Sequence, residues 1–411
     1  MGSGWVCRLA LQKGFGQSCC VRILIVYNSA LDARSVSGVQ TYFSGVVRHW
    51  IEAGAEVDVF VARAAWPIFQ ELFPKSELVS SDNLFDPTRH LGQTWRYLPA
   101  FGWRMFSHRF TKFPRAYDLI FACAQFIYEI GPARCLATRF NAALVVKVHH
   151  VLSAQRMAIG LFDRMHLLSE QISTRWLNRE ADAILCGTEL IARDFKALEQ
   201  QLGLKPRVTH PTGYGLDLEA LPLSVDTLKD FDAVLLGRIH EHKGVFDAVE
   251  VWRKVCALYP TARLLIIGEG PHRVGLETRF AEAALSKSVC FTGAVGEREK
   301  SDLLARCRVG LSLSREEGWG LSVNEFLGVG LPVVAMEVPV FRAVFPRQLD
   351  LLTQGDIPGV AERILFWLNA PEAARQRGID GRNFVRRYDH RAVAVREMSL
   401  LEEALRHRRV R

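Results

Sequence analysis

No two cysteines in this 411-residue chain stand at Cys-x-x-Cys spacing. The nine cysteines are scattered, and the only neighbours, Cys19 and Cys20, cannot grip one metal ion with ordinary geometry. Such a set excludes a disulfide framework or a zinc ribbon and reads as free thiols in a reducing cytoplasm. Long apolar runs are missing too: none approaches the ~18–20 residues of a membrane-spanning helix. The opening residues, MGSGWVCRLALQKGFGQSCC, lack a clean apolar segment before a small-residue cleavage site. Residues 1–21 are therefore expected to be a ragged extension and not a signal peptide. Acidic residues are absent from Pro87 to Tyr117, where six basic ones (Arg89, Arg96, Arg104, Arg109, Lys112, Arg115) and eight aromatics crowd together.

What is present is ordinary globular material, 49% hydrophobic and 23% charged. The length suggests two domains of about 200 residues each. The net charge of +8 is unevenly spread: residues 1–210 sum to +7, 211–381 to −4 and 382–411 to +5. A basic first half, an acidic middle and a basic tail define the electrostatics of the chain.

VRILIVY (21–27) is a near-continuous apolar run, as expected of a parallel strand buried on both faces. A polar, glycine-containing loop, a helical stretch to Ala53 and the strand EVDVFVA follow. YDLIFAC, AALVVKVHH and ADAILCG continue the alternation, which argues for a doubly wound α/β domain. KPRVTHPTGYGLD (205–217) clusters turn residues without periodicity and reads as a linker. A second series then runs through DAVLLGRI, ARLLIIGEG, SVCFTGAV, VGLSLS and LPVVAME. The expected organisation is an extension (1–21), two Rossmann-like domains (22–205 and 206–384) and a final helix (385–411). Ligands in such sheets bind at the carboxyl ends of strands, and the chemistry-bearing residues lie there.

The stretch SREEGWGLSVNEFLGVGLPVVA (314–335) carries two carboxylates, Glu317 in a loop and Glu325 on an otherwise apolar helix. Gly318 and Gly320 let the backbone approach a ligand, and the helix start offers free N–H groups to an anion. A carboxylate near a helix start also suits the dipole, but that leaves Glu317 and the two glycines unexplained. In VLLGRIHEHKG, Arg238 and Lys243 follow a strand end and suit a diphosphate: one cation of fork geometry, one point charge. The bland alternative is a solvated loop. His240, Glu241 and His242 invite a metal reading, which the adjacent Lys243 opposes. Gly268-x-Gly270 is a near miss of a dinucleotide fingerprint, and turn chemistry explains it as well. His149 and His150 end a strand, and alternation sends one into the ligand side and one away. A strand-end histidine is also a common core or loop residue.

EGWGLSVNE, GRIHEHKG, IIGEGP, VCFTGAV and LPVVAMEV, in this order and spacing, resemble the retaining GT-B glycosyltransferases of family four, the glycosyl transferases group 1. The resemblance runs from Arg22 to about Tyr388. It implies an α/β, GT-B fold: two Rossmann-like doubly wound domains facing across a cleft, with the last helix crossing back onto the first. It implies that Glu325 grips the ribose hydroxyls of a nucleotide sugar, that Glu317 contacts the transferred sugar and that Arg238 and Lys243 bind the diphosphate. Ser37, Gly38 and Val39 match the family's phosphate loop, and His149 the histidine beside the reacting sugar. Gly268, Gly293, Val295, Gly318, Trp319, Gly320, Leu321 and Ser322 complete the implied nucleotide-sugar site, with His149, Arg238, Lys243 and Glu317 as the catalytic set. Departures are His150, where many relatives have aspartate, and Trp319 in place of a commoner phenylalanine.

The expected function is transfer of a sugar from a nucleotide-diphosphate sugar with retention, in envelope or polysaccharide synthesis, without a metal or other cofactor. Asp230-Phe231-Asp232 looks like a metal-binding triplet but precedes a strand, which reads as turn chemistry. The acceptor is expected to be lipid-linked or a saccharide. Residues 87–117 and 385–411 are expected to meet an anionic membrane surface on the cytoplasmic side. Two other readings exist: a nucleotide-sugar epimerase of the same architecture, which lacks an obvious acid/base pair, and a basic nucleic-acid-binding protein, which the acidic second half opposes.

Overall fold

The computed structural model describes residues 20–28, 38–81, 97–152, 161–224 and 227–410. They form two compact units, one taking the chain up to Gly215 together with residues 390–411, the other Leu216–Asp389.

The first unit is a seven-stranded parallel sheet: β1 (Arg22–Tyr27), β2 (Glu56–Val61), β3 (Leu78–Ser80), β4 (Leu119–Ala122), β5 (Ala143–Val148), β6 (Ala183–Cys186) and β7 (His210–Pro211). Its order is β3-β2-β1-β4-β5-β6-β7, so the winding reverses between β1 and β4. Helices α1 (Gly38–Glu52), α2 (Trp66–Leu72), α3 (Tyr97–Ser107), α4 (Ile127–Phe140), α5 (Leu161–Glu180) and α6 (Glu189–Gln201) alternate with the strands. Every residue of β4, β5 and β6 is buried, which is why these strands read as unbroken apolar runs. Leu24, Val26, Ile120, Val146, Ile184 and Phe195 form the centre of this core.

One residue of β5 breaks the rule. Lys147 is fully buried, and its ammonium donates to Glu397 Oε1 at 2.6 Å, to Thr212 Oγ1 at 2.5 Å and to the Gly213 carbonyl at 3.1 Å. Glu397 is equally buried and belongs to the last helix, α14 (His390–Val410), which packs on α1 and β5. This buried pair fixes the C-terminal helix to the first unit. Glu397→Leu removes the buried carboxylate paired with the ammonium and is expected to cost roughly 3–5 kcal/mol. A lowered urea midpoint, largely restored by adding Lys147→Met, is the check.

The second unit is a six-stranded parallel sheet of β8 (Phe231–Leu236), β9 (Leu264–Ile267), β10 (Val289–Gly293), β11 (Cys307–Ser312), β12 (Val333–Met336) and β13 (Leu349–Leu352). The order β10-β9-β8-β11-β12-β13 reverses between β8 and β11. Helices α7 (Asp247–Leu258), α8 (Arg273–Glu282), α9 (Glu297–Ala305), α10 (Leu321–Val329), α11 (Pro339–Val344), α12 (Ile357–Asn369) and α13 (Pro371–Val385) cover it. Trp252, Leu264, Val309, Leu311, Val334 and Ile364 are among its core residues.

Both sheets are Rossmann-like, as the alternation implied. The boundaries move. His210–Pro211, inside the stretch read as a linker, pairs with β6, so the first unit runs to Gly215 instead of residue 205. At the other end, Leu216 bridges Asp389, keeping residues to 389 in the second unit.

Candidate active site

The reversal between β8 and β11 is the place where a doubly wound sheet opens to a ligand. A shallow recess, open to solvent, lies there, lined by Gly237, Arg238, Lys243, Ser312, Ser314 and Ser322 among others. It is built by close backbone packing. Gly244 is left-handed (φ 63°) and would drive a Cβ into the Leu313 carbonyl. With no Cβ in the way, the loop after β8 lies directly on the end of β11. Gly268 and Gly270 do the same on the other side, lying against the Gly237 and Ile239 carbonyls. Gly268 is thus required by backbone packing, in agreement with its turn-chemistry reading.

Arg238 is exposed at the end of β8. Lys243 ends the short turn Glu241–Lys243, and its ammonium sits 2.5 Å from Glu317 Oε1. The same oxygen accepts from the Ser314 hydroxyl at 2.8 Å. The loop is pinned by Arg315, whose N–H donates to the His242 carbonyl and whose guanidinium pairs with Asp247 at 3.2 Å. Gly320, at φ 93°, turns the chain into α10, with Leu321 and Ser322 at the helix start. The structure thus brings Arg238, Lys243, Glu317 and the start of α10 to the carboxyl ends of β8 and β11. Two cations and a helix N-terminus beside one recess are suited to a diphosphate.

Glu325 lies on the second turn of α10 with 19% of its side chain exposed. Its Oε1 is 2.6 Å from the ammonium of Lys300 on α9. Burial holds the Glu325 carboxyl above its ordinary pKa, with Lys300 pulling the other way. Lys300 is a residue that the sequence pattern did not single out. Its only signal is Glu297-x-x-Lys300, indistinguishable from a solvated helix pair. Gly293 is left-handed (φ 78°) at the end of β10, and Val295 is half-buried in the loop that leads to α9.

Trp319 departs from its expected role. Its ring is buried edge-on against Tyr388 (4.8 Å) and near Phe345 (6.0 Å), so the side chain anchors the loop in the core and does not line the recess. An indole this large is drawn into the adjacent aromatic cluster because burial there removes it from water.

Asp230 and Asp232 lie at the opposite, amino end of β8, where Asp230 pairs with Arg306 and Asp232 accepts from the Arg263 N–H at 2.9 Å. Only Asp230 precedes the strand; Phe231 and Asp232 are its first two residues, so the triplet opens β8 and does not form a turn before it. The His240 and His242 rings lie 4.4 Å apart, tilted at 42°, with their Nδ1 atoms 2.6 Å apart. Burial, followed by Lys243 and His240, lowers the His242 pKa, which suits a neutral ring.

In the first unit, Ser37 falls outside the described residues, while Gly38 and Val39 open α1. His149 follows β5 and is buried. Its Nε2–H donates to the Cys123 carbonyl at 2.8 Å, and Nδ1 accepts from the Tyr214 hydroxyl at 2.5 Å. Burial, then Lys147 and His150, push its pKa down to about 3, so the ring is neutral. With both nitrogens engaged, His149 is a strut between β5 and Tyr214 rather than a group presented to a sugar. This corrects its place in the catalytic set; the cause is the depth of the strand end, which sequence alternation does not report.

The basic, aromatic segment also divides. Arg104 is fully buried and donates to the Asn28 carbonyl, and Arg115 pairs with Glu56 and Asp58. Arg109 and Lys112 are exposed beside Phe106 (50% exposed) and Phe110 (72% exposed), and Trp103 stacks on Phe110. Arg89, Trp95 and Arg96 lie outside the described residues. Among the described residues no helix is long and apolar enough to cross a membrane.

Two family models divide the chain between them. "Glycosyl transferases group 1" matches residues 225–384, the unit that holds the recess, and "Glycosyl transferase 4-like domain" matches 37–212. The chain belongs to the glycosyl transferases group 1 family. Among curated relatives, the gpi3 subunit of phosphatidylinositol N-acetylglucosaminyltransferase from Schizosaccharomyces pombe is 26% identical over 33% of this chain and 30% of its own length. Sulfoquinovosyl transferase SQD2 of Arabidopsis thaliana is 25% identical over 88% of this chain and 69% of its own. The chain thus spans under a third of the first relative and about two thirds of the second. Anabaena Alr3699/HepE, solved with UDP and glucose, superposes with a TM-score of 0.69 at 16% identity, covering 93% of this chain and 99% of that one. The architecture is therefore that of a GT-B glycosyltransferase.

Proposed function

We propose that this glycosyltransferase moves a sugar from a nucleotide-diphosphate sugar to a lipid-linked or saccharide acceptor of the cell envelope, with retention at the anomeric carbon. The observation that carries the reading is the convergence of Arg238, Lys243 and the start of α10 on one recess at the winding reversal of the second sheet. Three positive elements meet there at a point where negative charge would develop on a departing diphosphate. Glu325 is the ribose acceptor, since a carboxylate can take hydroxyl hydrogen bonds from the sugar of a nucleotide. Glu317, held by Ser314 and Lys243, faces the transferred sugar.

In the proposed reaction the anomeric carbon–phosphate bond breaks while the acceptor oxygen attacks from the same face. The acceptor proton passes to an oxygen of the departing diphosphate. Arg238, Lys243 and the helix start hold that charge, and the reaction runs without a divalent ion. The test is nucleotide release on mixing the enzyme with UDP- and GDP-sugars and candidate acceptors. Acceptor-dependent release that EDTA leaves unchanged is expected. An isomerised sugar nucleotide with no release would mark an epimerase, and EDTA inhibition reversed by manganese would overturn the metal-free reading.

The acceptor side of the proposal rests on the exposed edge of α3 and the segment after it. Phe106, Arg109, Phe110 and Lys112 combine rings with cations, a combination suited to an anionic lipid surface. The name of the fission-yeast relative includes a phosphatidylinositol acceptor, which fits the same direction. Phe110→Ala combined with Lys112→Glu is expected to abolish co-sedimentation with anionic liposomes while wild type sediments at low salt and is released at high salt. Failure of wild type to sediment at low salt would leave the patch without this role.

A further inference from the structure

We infer that Lys300 is a positioning residue for the sugar donor: it keeps the Glu325 carboxylate ionised and turned so that its second oxygen is available to a ribose. This deepens the reading of Glu325 as the ribose acceptor and rests on it. The geometry comes from two neighbouring helices. Lys300 of α9 reaches Glu325 Oε1 of α10 at 2.6 Å and Glu297 Oε2, one turn back on its own helix, at 2.7 Å. Only 13% of the Lys300 side chain is exposed, against 76% for Glu297. The Glu297 contact is therefore largely screened, and the Glu325 contact is the sheltered one.

Glu325 needs this partner because of where it stands. Its helix carries Val323, Phe326, Leu327 and Val329, all buried, so the carboxylate loses water on most sides. Desolvation favours the neutral acid. Among the described residues, the other elements packed on α10 place no cation on Glu325. Arg382 of α13 donates to the carbonyls of Leu218, Leu221 and Gly328, Arg308 of β11 pairs with Asp232, and β12 has no titratable side chain. Among the described residues, Lys300 is the cation paired with Glu325. Burial opposes the Lys300 ammonium, but Glu325 and Glu297 outweigh it and raise its pKa, so the charge persists through the neutral range.

Occupying one carboxylate oxygen also has a geometric consequence. A glutamate has three side-chain torsions, and a ribose acceptor left to rotate would pay in rotamer entropy when the donor binds. The Lys300 contact fixes the carboxylate before the donor arrives.

The sign of the effect follows. Without Lys300, burial and the nearby Glu297 raise the Glu325 pKa further, so the acid form persists to higher pH and the carboxylate returns only as pH climbs. The experiment is calorimetric titration with UDP and GDP, following whichever wild type binds, from about pH 6.5 to about pH 8.5. Wild type and Lys300→Arg are expected to bind with nearly constant affinity over that range. Lys300→Met, close in length to lysine, is expected to bind about ten-fold more weakly at the acid end and to recover towards wild type at the alkaline end. Circular dichroism of each variant checks that α9 and α10 remain folded. Unchanged affinity in Lys300→Met overturns the inference, and so does a loss of equal size at every pH, which would make Lys300 a direct nucleotide contact. Glu325→Gln separates the two levels. If it binds as tightly as wild type, the ribose reading itself falls. If it weakens binding while Lys300→Met does not, the role of Lys300 falls alone.

Discussion

Arg238→Ala is expected to lower turnover by about a hundred-fold or more with little change in thermal stability. The guanidinium is exposed at the end of β8, and its removal opens no cavity and strands no buried partner. Its proposed work begins only when the bond to the diphosphate breaks and charge gathers on the leaving oxygens. An interaction that strengthens towards the transition state appears in kcat. Lys243→Ala should show a comparable fall, but a less clean one. Its ammonium also neutralises Glu317, whose side chain is only 9% exposed. Losing Lys243 leaves that carboxylate with the Ser314 hydroxyl and no counter-charge, so donor binding and the melting temperature should move as well. Steady-state kinetics with a saturating donor separates the two variants. A kcat within two- or three-fold of wild type in Arg238→Ala would remove it from the leaving-group role.

Glu325→Ala is the second large effect, and it should appear in donor affinity. A charge-assisted hydrogen bond is worth ~1.5–3 kcal/mol, which is about ten- to hundred-fold in binding. Glu325→Gln should keep part of this, because the amide oxygen still accepts one hydroxyl. Truncation also frees Lys300, leaving a sheltered ammonium with only the exposed Glu297. Glu325→Ala combined with Lys300→Met should therefore be more stable than Glu325→Ala alone, while binding nucleotide no better. Calorimetry with UDP or GDP and a thermal melt on the same samples read both quantities. Unchanged nucleotide affinity in both single variants would reduce Glu325 to a partner of the helix dipole.

Much of this molecule was written in its apolar runs. Parallel strands buried on both faces are largely apolar, so β1, β2, β4, β5, β6, β8, β9, β11 and β12 announce themselves without any knowledge of their neighbours, and the half-buried edge strand β10 was read from its place in the alternation. The same holds for the loops after β8 and β11. A glycine beside a cation or carboxylate at a strand end is a local pattern, and the placement of Arg238, Lys243 and Glu317 at strand ends was legible from it. Three strands were not. β3 and β7 are three and two residues long and sit at a sheet edge, and β13 is an edge strand only partly buried, too brief or too mixed for a period to emerge.

Tertiary structure decided the rest, for one physical reason: burial and partner choice are properties of distant residues. Lys147 and Glu397 are 250 positions apart, and nothing local distinguishes either from a surface charge. Arg104 sat in a stretch that reads as uniformly basic and outward, yet the fold places it in the core against Asn28. His149 carries the right residue type at the right strand end, but Cys123 and Tyr214 occupy both of its nitrogens. Lys300 shows the same limit from the other side. Its sequence neighbourhood offers only Glu297, and its more consequential partner stands 25 residues on, brought within 2.6 Å by the packing of α9 on α10.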